Sequence, residues 1–318
     1  MKKELCVGNL SAKQGEKVTG NCTFIIDGKT FSLPVFLING KAEGPTFVIT
    51  AGVHAAEYAS IAAAIEIGQK YSPETIQGQL IVVPVINQAG FPVRSIYVNP
   101  MDGINLNRVF PGNPDGSASE QITAWVFENI MKQADYYIDL HGGDLIESLI
   151  PFVIFPEVGK ADVDHASLEL AKTMGIEYLI RKVGTSGSTF LAVADAGIPA
   201  VLVESGGQGI WPREDVVRLI DGVERAMVTF GMLPEITLSS TESILLKDFI
   251  WLMSDHIGFW YPQIEVGDQV KEGQVLGKIT DIWGSELQTA HATADGRILF
   301  LVSSLSINVG DPLLSIGA

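Results

Sequence analysis

The amino-acid sequence predicts an α/β fold, a central sheet flanked by helices, followed by a small all-β module. Three observations carry that expectation. From Pro45 onward, short apolar strands alternate with helical segments, the pattern of a sheet covered on both faces. Ahead of it, Val18 to Ile26 and Thr30 to Ile38 are strand-like runs split by Asp27-Gly28, a hairpin signal within an N-terminal β region over residues 1–40. From Glu242 to Ala318 no helical period is found, only short strands punctuated by Gly267-Asp268, Glu272-Gly273, Asp295-Gly296 and Gly310-Asp311. The change of character near Pro234-Glu235 sets the expected boundary at 233–241 and divides the chain into 1–235 and 236–318.

Within the first part, Thr46 to Ala51 reads as a buried strand and Ala55 to Lys70 as a helix rich in Ala and Ile. Gln79 to Ile86 is the next strand, and Asn87 to Ser117 has no regular period. A loop of that length inside a compact domain is usually functional or disordered, and its Pro, Gly, Asn and Arg content favours function. Ser119 to Gln133 is a helix leading into the strand Tyr136 to Leu140. Further strands are Phe152 to Phe155, Tyr178 to Arg181 and Ala200 to Val203, and further helices are Asp164 to Met174 and Arg213 to Phe230.

Composition narrows the function classes. The 318 residues are 47% hydrophobic and 18% charged, as in a globular protein with a large core. A formal net charge of −16 argues against a nucleic-acid or anionic-membrane surface, which needs clustered Lys and Arg. The amino terminus has two lysines but no apolar run behind them, so no signal peptide is expected. No apolar stretch approaches the roughly 18 residues of a spanning helix. Cys6 and Cys22 are too few for a disulfide framework, and neither lies near the motifs below. A cytoplasmic location is the resulting expectation.

The chemistry gathers where strands end. His54 follows the strand Thr46–Ala51 through Gly52-Val53, and Glu57 lies three residues on, so both side chains reach one side of the turn. His141 ends the strand Tyr136–Leu140 and precedes Gly142-Gly143, which are expected to leave open space before the imidazole. Ligands of open α/β sheets collect at the carboxyl ends of strands. Two His and one carboxylate form a catalytic zinc set. By spacing alone, an imidazole bonded to a carbonyl competes with a metal ligand at either position. Asp139, two residues before His141 on the same strand face, can orient a liganding imidazole. Glu204 closes the apolar strand Ala200–Val203, where an unpaired carboxylate costs solvation unless it is put to use; general acid–base work and a helix cap both fit that place. In the long loop, Arg108 offers a fork for a substrate carboxylate with the Asn107 amide beside it, and Arg94 is a second cation.

Taken together, Gly52-Val53-His54-Ala55-Ala56-Glu57, Asn105-Leu106-Asn107-Arg108-Val109-Phe110-Pro111-Gly112, Asp139-Leu140-His141 and Glu204-Ser205-Gly206 resemble one family, in its order. It is the succinylglutamate desuccinylase/aspartoacylase family, a branch of the zinc carboxypeptidases. The resemblance implies a zinc-carboxypeptidase-like domain with a mixed sheet and one Zn2+ per chain. By position it makes His54, Glu57 and His141 the metal ligands, Glu204 the catalytic glutamate, and Asn107 and Arg108 the grip on the substrate's α-carboxylate. The activity it implies is hydrolysis of N-acyl amino acids, small molecules, to a carboxylic acid and a free amino acid. The chain departs from many relatives at Ile96, where they carry an arginine that polarises the scissile carbonyl; Arg94 is the residue that would stand in for it.

The C-terminal module, through Glu265-Val266-Gly267-Asp268-Gln269-Val270 and Gly273-Gln274-Val275-Leu276-Gly277, resembles biotinyl/lipoyl-type folds. The turn Ala292-Thr293-Ala294-Asp295-Gly296 lacks the lysine that a carrier needs, so a lid or a homo-oligomer surface is expected instead. His256 and His291 have no ligand-spaced neighbour and read as structural. A peptide carboxypeptidase and a non-catalytic metal-binding relative are the alternatives to deacylation; the second predicts loss of a ligand or of the glutamate, and none is lost.

Overall fold

A computed structural model describes residues 4–235 and 242–318. Most of the expected boundary segment, 236–241, lies outside the described residues. The large sheet has nine strands in the order Ile244–Leu245, Tyr178–Val183, Phe152–Glu157, Ala200–Glu204, Tyr136–His141, Ala42–Ala51, Gln77–Val83, Lys29–Asn39 and Lys17–Ile26. It is mixed, as the family resemblance implied. Ala42–Ala51 runs parallel to both neighbours and Ala200–Glu204 runs parallel to Tyr136–His141, while Phe152–Glu157 is antiparallel to Ala200–Glu204. The N-terminal hairpin adds two antiparallel strands at one edge. Its turn places Asp27 at φ 48° and Gly28 at φ 71°, the pair of positive values that lets a two-residue loop follow strand twist.

Strand alternation sorts the sheet into two faces. Phe47, Ile49, Ala51, Ile138, Leu140, Val201 and Val203 pack against helices α1 (Tyr58–Lys70), α3 (Ala161–Thr173) and α5 (Arg213–Thr229). In α5 the buried residues Val216, Leu219, Ile220, Val223, Ala226 and Met227 keep the helical period of a one-sided stripe. Val48, Tyr137, Ala200 and Leu202 point the other way, toward α2 (Ala118–Asn129) and α4 (Thr189–Asp195). The N-terminus of α2 is closed by a capping box between Ser117 and Glu120. By the same alternation, Thr50, Asp139, His141 and Glu204 all stand on the α2/α4 face. Register brings their ends level, since Ala51 lies opposite Leu140 and His141 opposite Glu204.

The C-terminal module is two antiparallel sheets around Trp260, Leu276, Ile279, Ile298, Leu313, Leu314 and Ile316. Among the described residues, strand pairing links it to the first part of the chain at two places. Ile244–Leu245 extends the nine-stranded sheet beside Tyr178–Val183, and Glu147–Leu149 pairs with Gly296–Val302 of the module.

Several boundaries shift from the sequence expectation. Helix α1 begins at Tyr58 rather than Ala55, because residues 52–57 form turns and Glu57 sits at the N-cap with non-helical φ and ψ. The strand expected at 79–86 spans Gln77–Val83. Helix α4 and the strand Glu147–Leu149 carry no expectation, being too short for a period to declare itself.

Ile49 is fully buried between the sheet and its helices. Ile49→Ala is expected to destabilise the fold by about 2–5 kcal/mol, seen as a lower urea midpoint at an unchanged m-value.

Candidate metal centre and active site

Two segments at the carboxyl ends of adjacent parallel strands build one cluster. The turns after Ala42–Ala51 bring His54 and Glu57 round, and the end of Tyr136–His141 presents His141. The potential ligand atoms of His54, Glu57 and His141 all lie within 4.8 Å of one another, and all three residues are buried. The Glu57 carboxylate faces both rings, with Oε1 at 2.6 Å from His54 Nδ1 and Oε2 at 2.9 Å from His141 Nδ1. Gly142 N donates to Oε2 as well.

Each imidazole also has an acceptor on its outer nitrogen. His54 Nε2 lies 3.1 Å from Asn105 Oδ1, and His141 Nε2 lies 2.9 Å from Asp139 Oδ2. With Nε2–H donated outward, both Nδ1 lone pairs converge with a carboxylate on one point. Such convergence needs a positive charge between the groups: protons on the rings or a shared cation. Outer hydrogen bonds of this kind fix the tautomer of metal-binding histidines, so the donor set fits a zinc ion. The electrostatics agree. Burial would raise the Glu57 carboxyl, but the charges of His141 and His54 outweigh it and hold it well below the usual range. Burial would lower His141, but Glu57 and Asp139 raise it well above an ordinary histidine.

Asp139 is fixed in turn. Thr50 Oγ1 donates to Oδ1 at 2.6 Å, and the Thr189 hydroxyl at the start of α4 donates to Oδ2. Glu204 stands on the neighbouring strand directly opposite His141. Its Oε2 is buried and has no hydrogen-bond partner among the described residues. Burial first, then the nearby Glu57 charge, raise its carboxyl well above the ordinary value, with His141 pulling the other way. An orphaned carboxylate oxygen in a buried place calls for an explanation, and it lies beside a cluster that could hold a cation.

The catalytic domain of succinylglutamate desuccinylase/aspartoacylase matches residues 43–229. An N-alpha-acetyl-L-2,4-diaminobutyric acid deacetylase from Halomonas elongata is 30% identical over 289 residues, covering 88% of this chain and 84% of that protein. The chain belongs to the succinylglutamate desuccinylase/aspartoacylase family. Among solved structures, the product-bound ectoine utilization protein EutE (DoeB) from Ruegeria pomeroyi has a similar fold, with a TM-score of 0.88, 23% identity and full coverage of both chains. A succinylglutamate desuccinylase/aspartoacylase from Rhodobacter sphaeroides has a TM-score of 0.84, 22% identity and 94% coverage of each chain.

Against the expectations from sequence, the fold of this family member unites His54, Glu57, His141, Asp139 and Glu204. Asn107 is buried, and its Oδ1 accepts from Thr189 N at 2.9 Å, which leaves the amide hydrogens as donors. Arg108 is exposed, with Nη1 donating to the Asn107 carbonyl at 2.8 Å. Arg94 is exposed at φ 54° and forms no ion pair among the described residues. Gly142, expected from sequence to leave space before the His141 imidazole, is itself closely packed. A Cβ on Gly142 would lie 2.5 Å from the Ser205 carbonyl oxygen, so that glycine lets two loops close together.

Several site residues escape the sequence reading. Asn105 lies inside a recognised motif, yet nothing there says that its side-chain oxygen faces His54 as well as capping its own turn. Half-buried Tyr97 and buried Asp144 and Glu147 form a group beside the cluster. Tyr97 N donates to Asp144 Oδ2 at 2.9 Å, the Tyr97 hydroxyl donates to Glu147 Oε1 at 2.7 Å, and Asp144 N donates to Glu147 Oε2 at 2.7 Å. Burial raises the Glu147 carboxyl to about 7, opposed by the two donors and reinforced by Glu57 and Asp144. The one signal in the sequence is the spacing of two acids after His141-Gly142-Gly143, which is too common to assign.

Two outcomes follow from this geometry. Asp139→Asn keeps the size of the group but offers the amide in place of a charged acceptor, and is expected to weaken zinc binding on the order of 10–100-fold in competition with a chromophoric chelator. For Glu147, the folded carboxyl keeps its proton to about pH 7 whereas an ordinary one releases it near 4.5. Its contribution to stability is therefore full below pH 4.5 and is lost as pH rises through 7. Glu147→Gln should flatten that part of the slope in urea midpoints measured across the interval.

Proposed function

We propose that the chain is a zinc-dependent amidohydrolase that removes the acyl group from an N-acyl amino acid. The observation that carries the reading is the convergence of His54, Glu57 and His141 with the unpartnered Glu204 carboxylate opposite them. Family membership supports the reaction class. His54, Glu57 and His141 would hold the zinc, which when bound would supply a Lewis acid for the amide carbonyl and lower the pKa of a water to about 7. Glu204 takes the proton of the attacking water and delivers it to the departing amine nitrogen. Asn107 presents its amide hydrogens to the substrate carboxylate, with the Arg108 fork swinging in from the exposed rim. Arg94 serves the scissile carbonyl in place of the arginine replaced by Ile96.

The relative's substrate points to an N-acetyl diamino acid. The charge of the site supports it. Asp139, Asp144, Glu147 and Glu204 stand beside the cluster that holds Glu57, and no lysine or arginine is buried among the described residues. Those carboxyl groups, protonated or not, offer acceptors to the ammonium of a cationic side chain and nothing cationic to acylated aspartate beyond the exposed Arg94 and Arg108. The catalytic unit is residues 1–235. The module at 236–318, with its biotinyl/lipoyl-type turns and no lysine at 292–296, acts as a wall and not as a carrier.

The zinc-loaded protein is expected to release acetate from N-α-acetyl-L-2,4-diaminobutyrate faster than from N-acetyl-L-aspartate. Glu204→Gln should lower kcat on the order of 10²–10⁴-fold with zinc content unchanged, whereas Arg108→Ala should act mainly on KM. A Glu204→Gln protein as fast as wild type would refute the mechanism.

A further inference from the structure

Tyr97 is strained, shared and central. It is a non-glycine residue at φ 59°, a conformation that persists only where its surroundings impose it. Asp144 and Glu147 impose it through the hydrogen bonds to its amide and its hydroxyl. The ring so held stands edge-on to the His54 imidazole, with centroids 6.3 Å apart and planes at 84°. His54 thus has Glu57 on Nδ1, Asn105 on Nε2 and Tyr97 against its ring.

Glu147 joins this contact to the C-terminal module. Its backbone begins the strand that pairs with Gly296–Val302, opposite Val302, and the pairing is flanked by Ser303 N donating to the Ile146 carbonyl and Ile150 N to the Leu299 carbonyl. The Glu147 carbonyl accepts from Gln208 N at 2.9 Å, in the loop that follows Glu204. A Cβ on Gly143 or Gly207 would lie 2.7 or 2.4 Å from that same oxygen, so both loops close on it. Asp311, also in the module, adds its charge to those acting on the Tyr97 hydroxyl. One residue therefore touches the loop after His141, the loop after Glu204, the long substrate loop and the module.

We propose that Glu147 is a positioning residue which, through Tyr97, couples docking of the C-terminal module to the setting of the His54 imidazole at the metal centre. The inference rests on the metal reading of His54, Glu57 and His141, but concerns residues outside that set. Tyr97→Phe removes the hydroxyl that Glu147 holds. Glu147→Gln leaves one oxygen where two acceptors are needed.

The test uses the full chain loaded with Co2+ in place of zinc, whose visible absorption reports ligand geometry. Both variants are expected to alter the cobalt spectrum and to weaken cobalt binding on the order of 10-fold, with far-UV circular dichroism unchanged. Because the two residues act as one unit, the double variant should bind no more weakly than the worse single variant. If either single variant loses thermal stability while its spectrum and affinity match wild type, the residues are structural only and the proposal fails. Additive losses in the double variant would also overturn it. If Glu147→Gln does not fold, Tyr97→Phe alone decides by the same two readouts. A wild-type chain that binds no cobalt would instead refute the metal reading itself, so the two failures are distinguishable.

Discussion

The Glu57 carboxylate shared between two imidazoles is the interaction on which the rest depends. A buried carboxylate is costly unless it is paired and hydrogen-bonded, and Glu57 is both. Its position at the N-cap of α1, ahead of the first helical residue, turns the side chain from the helix toward the sheet end. The two histidines come from different strands, so the cluster exists only if those strands are neighbours in the right register. Ala51 opposite Leu140 supplies that register.

The sheet supplies direction as well as position. Because side chains alternate, the apolar residues that face α1, α3 and α5 force Thr50, Asp139, His141 and Glu204 to the opposite face. There α4 closes the site, and its first residue bonds both Asp139 and Asn107. Thr189 thus joins the hydrogen-bond partner of His141 to a residue proposed to meet substrate. The core and the site are two readings of one alternation.

Outside the ligand set, polar groups are held in layers. Asp139 orients His141 and is itself held by Thr50 and Thr189; Asn105 orients His54; Glu147 and Asp144 hold Tyr97 against it. The outermost layer reaches the module through a three-residue strand. Such layering suits a site whose ligands must be rigid, since each buried donor and acceptor then has one arrangement that satisfies it.

By itself the sequence determined the α/β pattern, the N-terminal hairpin at Asp27-Gly28 and the all-β character of the C-terminal part, because those rest on local periodicity and turn chemistry. It also named His54, Glu57, His141, Asp139 and Glu204, because each lies beside a strand end or within a motif. Only the tertiary structure decided which partners complete them. Thr50 and Thr189 lie 89 and 50 residues from Asp139, and Tyr97 lies 50 from Glu147; no local period encodes contacts at such separations. The glycines after His141 make the same point. Their spacing was legible, but the reason for Gly142, the Ser205 carbonyl of another loop pressed against it, exists only once the loops have met.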